Sequence, residues 1–148
     1  MQSLIIHQLS KDLQRLYKDI ESFKEEENLW KIMGDVSNSP GNLALHLVGN
    51  LNHFVGHVIG KTDYVRNRTF EFEAKAVPKS EILASIQNTI PIITTAINGL
   101  TDMELKQEFP IQIFSDEILT TEAMLLHLTN HLNYHLGQIN YSRRINQF

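Results

Sequence analysis

The apolar residues Ile82, Leu83, Ile86, Ile90, Ile93 and Ile97 recur at helical spacing, and a stripe of that period is buried by packing one face of an α-helix against other elements. Three more segments carry the pattern. Ile6, Leu9, Leu13, Leu16, Tyr17, Ile20 and Phe23 predict a helix over 3–26, and Leu43, Leu47, Leu51, Phe54 and Val58 predict one over 40–59. The isoleucine stripe predicts 79–98, and a fourth helix is expected over 120–146. Ser39 can cap free N–H groups ahead of Pro40, a proline at the first helical position. Pro91 is expected to kink the third helix, and Asn98 and Gly99 to end it. No segment carries a strong strand pattern, so the expected fold is all-α: one four-helix-bundle domain over 1–148.

The joints are uneven. NLWKIMGDVSNSPGN reads as a loop from its glycines and its Ser/Asn/Pro cluster, and TDMELKQEFPIQIFSDEIL as a turn followed by an extended stretch. Between helices two and three lies GKTDYVRNRTFEFEAKAVP, which has no sustained helical period. At about 19 residues this long crossover far exceeds the usual connection between antiparallel neighbours, so helices two and three are free to run parallel. Gly49 and Gly56 leave a flat strip on helix two, available to a second copy of the chain or to packing within one bundle. His7 reads as a surface residue, the glutamates near residue 26 as a solvated helix end, and Trp30 as a plug at the bundle end.

A net charge of −4 with a pI near 5.9 opposes long-range attraction to nucleic acid or an anionic membrane. The chain has no cysteine, which excludes disulfides, thiolate metal clusters and a cysteine nucleophile. MQSLIIHQLSKDLQRL lacks the form of a signal peptide, and no apolar run approaches the roughly 20 residues of a membrane span. A soluble, cytoplasmic protein is expected.

Of seven histidines, six fall in two windows: His46, His53 and His57 on helix two, and His127, His131 and His135 on helix four. At i, i+4 spacing the second trio forms one line, each step offset by about 40° and rising about 6 Å, on the border of the apolar face. Gln138 shares that line. His46, Asn50, His53 and His57 form a similar line on helix two, within roughly 60° of arc. Either line can face the other. An inward pair of imidazoles at i, i+4 is the usual helical offer to a metal ion, and three would suit zinc, nickel, copper or iron with positions left open. The bland alternative is a histidine-lined core without metal.

The segments SPGNLALHLVGNLNHF and HLTNHLNYHLGQINYSRR, the long crossover, and an H-x-x-x-H-x-G-Q motif on the last helix resemble the DinB/YfiT-like superfamily of small four-helix metalloproteins over nearly the whole chain. The resemblance implies that His46, His131 and His135 hold a divalent metal, with nickel and zinc the first choices. It leaves His53 and His57 outside the ligand set and places His127 one turn away. Leu136 departs from the arginine or histidine that relatives commonly carry before the Gly-Gln pair. That position lies about 140° from His131 on the helical wheel, so metal binding should not depend on it. Gly137 suggests a close approach to the helix, and Gln138 a group that orients a ligand.

For function, the resemblance implies a thiol-dependent transferase acting on a small electrophile. Lacking cysteine, the chain would take its thiol from a low-molecular-weight cosubstrate. His127 and Gln138 are the candidate catalytic groups, a homodimer is expected, and neither nucleic acid nor membrane is expected as a partner. A metal-dependent hydrolase using bound water, and a non-catalytic metal-binding or stress-response bundle, are the alternatives. With three ordinary imidazoles, metal affinity should fall as the pH drops through about 6.5.

Overall fold

The computed structural model describes residues 1–146. It is all-helical, with no strand among the described residues. The helices are α1 (Gln2–Glu21), α2 (Pro40–Leu51), α3 (Arg68–Glu73), α4 (Lys79–Asn98), α5 (Asp102–Lys106) and α6 (Thr121–Ile145). A 3₁₀ turn, Glu26–Trp30, follows α1, and α2 continues as a π-helical segment, Asn52–Ile59. No helix is long and apolar enough to cross a membrane.

The four long helices share one apolar core in which α1 packs on α4 and α6, and α2 packs on the same two. Side-chain ties give their directions. Asp12 and Asp19 of α1 accept hydrogen bonds from Asn133 and Asn140 of α6, so those two helices run parallel. Gln2 reaches the carbonyls of Ile97 and Leu100 while Lys79 reaches that of Phe23, so α4 runs antiparallel to α1. Asn52 bonds Thr89, and a Cβ at Gly56 or Gly60 would meet Ile92 or Ala96. The second long helix and α4 are therefore parallel, as the long crossover allows.

Three readings of the sequence need correction. The first helix ends at Glu21 rather than near 26. Ser22 donates its hydroxyl to the Lys18 carbonyl at 2.6 Å, and Phe23, though buried, lies beyond the helix. The crossover is partly helical, because Asn67 caps α3 by accepting from the Phe70 N–H at 2.9 Å. The third correction is the π segment. Asn52 donates to the Val48 carbonyl and to Thr89, and from there the helix takes more residues per turn, which rotates His53 and His57 away from the line that an ideal α-helix would give them.

The glycine strip is filled from within the chain. A Cβ at Gly49 would overlap the Glu71 carboxylate, and one at Gly56 would press on Ile92. Nothing lies within 4 Å of a Cβ built at Gly137, so no part of the described chain makes the close approach expected there. Leu136 is a core residue, 1% exposed. His7 is exposed, and Trp30 lies against Gly41 at the start of α2.

Candidate metal centre

Packing of α2 against α6 sets His46 opposite two successive turns of the last helix. Ser39 holds the start of α2 by accepting from the Asn42 N–H, and Pro40 occupies the first helical position. His46 Nε2 lies 3.2 Å from His131 Nε2, which is 3.1 Å from His135 Nε2. One ligand nitrogen from each ring falls within 4.8 Å of the others, and the group can hold a metal ion. Nitrogen ligands around a tetrahedral zinc ion stand about 3.4 Å apart, given bonds near 2.0–2.1 Å, so the two short separations suit such an ion. The set spreads over as much as 4.8 Å, more than two bonds of about 2.1 Å can span, so the outer rings would draw in toward His131 on binding an ion. Neutral imidazoles without a thiolate or carboxylate suit zinc, nickel, copper or iron.

Neighbouring groups set the rings. Gln138 Oε1 accepts from His135 Nδ1 at 2.6 Å, which leaves the lone pair on Nε2. Behind His46 stands Glu71, 2% exposed. Its Oε2 is 3.6 Å from His46 Nδ1, long for a hydrogen bond, so the carboxylate acts on that ring chiefly through its charge. Arg66 grips the same carboxylate with Nε to Oε1 at 2.9 Å and Nη2 to Oε2 at 3.0 Å. Burial alone would raise the Glu71 carboxyl, but the facing His46 ring and the hydrogen bonds and charge of Arg66 outweigh it, and its pKa lies below the usual value. Asn42 pins α3 in place by donating to the carbonyls of Glu71 and Ala74 at 3.0 and 2.8 Å.

Glu71 and Arg66 escape a reading of the sequence alone. The TFEFE run alternates over too few residues to assign an element, and the long crossover offered no phase from which to aim a side chain. A glycine facing a buried carboxylate was the one available sign, and it shows only when Gly49 and Glu71 are already side by side.

The other histidines take separate places. His53 and His57 stack on each other at 6.0 Å between centroids, and His57 Nδ1 bonds the Thr62 carbonyl at 2.6 Å. Neither belongs to the three-histidine group. His127 lies one turn from His131, at 6.2 Å, with the edge of Phe114 against it at 5.2 Å. The three ligand candidates, His127 and Asn50 line an open cavity of about 520 Å³ walled also by Phe54, Phe72, Arg66 and Arg68.

Burial first, then the nearby His135, His46 and His127 rings and Arg66, lowers the His131 pKa to about 4. Burial, with His46, also lowers that of His135, against the Gln138 hydrogen bond. Proton competition at His131 therefore begins well below the pH at which an ordinary imidazole titrates. Between about 4 and the ordinary 6.5 the unfolded chain binds more protons than the folded one, so folding stability rises with pH in that window. Metal-stripped protein is expected to keep its stability above pH 6.5 and lose part of it steadily toward pH 4. Urea midpoints across that range measure this, and in His131→Leu the slope should flatten. A wild-type midpoint that stays level would contradict the assignment.

The chain is all-helical, and three histidines from two of its helices form a group that could hold a metal ion. A family model described as "Protein of unknown function (DUF1572)" matches residues 3–147, and the chain belongs to that family. No curated protein matches it.

Proposed function

We propose that the chain is a divalent-metal-dependent enzyme on a four-helix bundle of the DinB/YfiT-like kind, resembling thiol-dependent transferases that act on small electrophiles. The observation that carries this reading is the convergence of His46, His131 and His135 on the wall of a cavity, with no protein anion among the candidate ligands. Such a set leaves positions for an exogenous ligand. A divalent ion held there would lower the pKa of a bound thiol or water and so supply a nucleophile at neutral pH.

The residues of the chain do the rest. Gln138 fixes the His135 ring by its hydrogen bond to Nδ1, and the Arg66–Glu71 pair stands behind His46, with Arg66 Nη2 at 3.3 Å and Glu71 Oε2 at 3.6 Å from its Nδ1. His127 lines the cavity without belonging to the trio, in a place from which an imidazole can take or give a proton. The nearest carboxylate, Glu71, is held by Arg66 and is unavailable as a general base.

The test is a titration of cobalt-loaded protein with mercaptoethanol, followed by absorption. A sulfur-to-metal charge-transfer band that is absent in His135→Ala is expected. If cobalt binds and the thiol leaves the spectrum unaltered, the thiol-dependent reading fails.

A further inference from the structure

The cavity wall is electrostatically one-sided. Although the chain as a whole carries −4, no Asp or Glu side chain lines this cavity. Arg66 is neutralised by Glu71, so its charge is already answered. Arg68 is not. It is exposed, its guanidinium lies over the Phe72 ring at 5.4 Å, and no carboxylate pairs with it among the described residues. Phe72 in turn packs on the His46 ring at 4.8 Å, so one aromatic ring links the free cation to the histidine group. Phe54 and Phe114 supply further apolar wall. Asn50 gives an independent sign of a polar occupant: it is 8% exposed, it lines the cavity, and its Oδ1 has no hydrogen-bond partner. Buried amide oxygens are rarely left unpaired, because that forfeits their hydration without replacement.

We propose that this cavity binds a small organic carboxylate, its anionic head paired with Arg68 and its apolar body among Phe54, Phe72 and Phe114, with a donor group toward Asn50. The inference rests on the metal-dependent reading in one respect, that the other end of the ligand reaches the histidine group. A single free guanidinium fits a carboxylate through two parallel hydrogen bonds, whereas a phosphate dianion calls for more cationic donors than this wall offers. The aromatic rings favour a flat or branched body over a long flexible one. In the proposed enzyme this makes the substrate class an electrophile that carries a carboxylate.

Benzoate and its neutral isostere benzamide are the probes, titrated by NMR against wild type and Arg68→Gln, each zinc-loaded and zinc-free. Wild type is expected to bind benzoate about tenfold more tightly than benzamide, as a charge-assisted pair requires. Arg68→Gln should abolish that preference and bind benzamide as wild type does, which also shows that the variant is folded. Benzoate no tighter than benzamide in wild type overturns the proposal. So does a preference that survives in Arg68→Gln, since the anion would then be held elsewhere. If wild type fails to take up zinc while the Arg68-dependent preference persists in zinc-free protein, the metal reading falls and the carboxylate site stands.

Discussion

His131→Ala is expected to weaken zinc or nickel binding by orders of magnitude. Its Nε2 stands between the other two, 3.2 Å from that of His46 and 3.1 Å from that of His135, so its loss leaves two rings and the widest separation of the set. His46→Ala and His135→Ala should be nearly as severe. His53→Ala and His57→Ala should do much less, because those rings lie on the π segment outside the group. Calorimetry on stripped protein measures the affinities. Melting gives an independent reading, since metal that binds only the folded state at 100 times its dissociation constant adds about 2.7 kcal/mol. Wild type should show that rise and His131→Ala should not. Equal affinity in the two proteins would remove the site and leave a histidine-lined core as the better description.

Glu71→Ala is expected to cost about 3–5 kcal/mol of folding stability, because it strands the Arg66 guanidinium, only 11% exposed, without its carboxylate. Metal affinity should fall as well, by about 10- to 100-fold, as His46 loses the charge behind its Nδ1. Arg66→Met/Glu71→Leu separates the two effects. It replaces both charges with apolar groups, so most of the stability should return while metal affinity stays low. Gly49→Ala should mimic the loss, because the new methyl group would occupy the space of the Glu71 carboxylate. Chemical unfolding and zinc titration of the four proteins give the comparison. Wild-type metal affinity in the double variant would show that Glu71 serves only to balance Arg66.

The helices at Lys79–Asn98 and Thr121–Ile145 lie within a residue of the ranges expected from apolar period and capping residues. Both signals act within a turn or two of chain, so neighbouring residues contain them. The same locality makes the histidine line of α6 readable, because an unbroken α-helix keeps His127, His131 and His135 in register. On the second long helix that assumption fails at Asn52, whose bond to Thr89 comes from an element 37 residues away. The parallel course of that helix and α4 was suggested by the length of the crossover, since a short turn would have forced the reverse.

By itself the sequence determined an all-helical chain, the extents of its later long helices and a histidine-rich face on two of them, because periodicity, capping and composition are properties of contiguous residues. The Glu71 carboxylate under Arg66, its bed at Gly49, the unpaired Arg68 beside Phe72 and the π segment that carries His53 and His57 were decided only by tertiary structure. Each depends on where an aperiodic crossover lands against α2, or on a side chain reaching across from α4, and residues that far apart in the chain carry no local pattern that could announce their meeting.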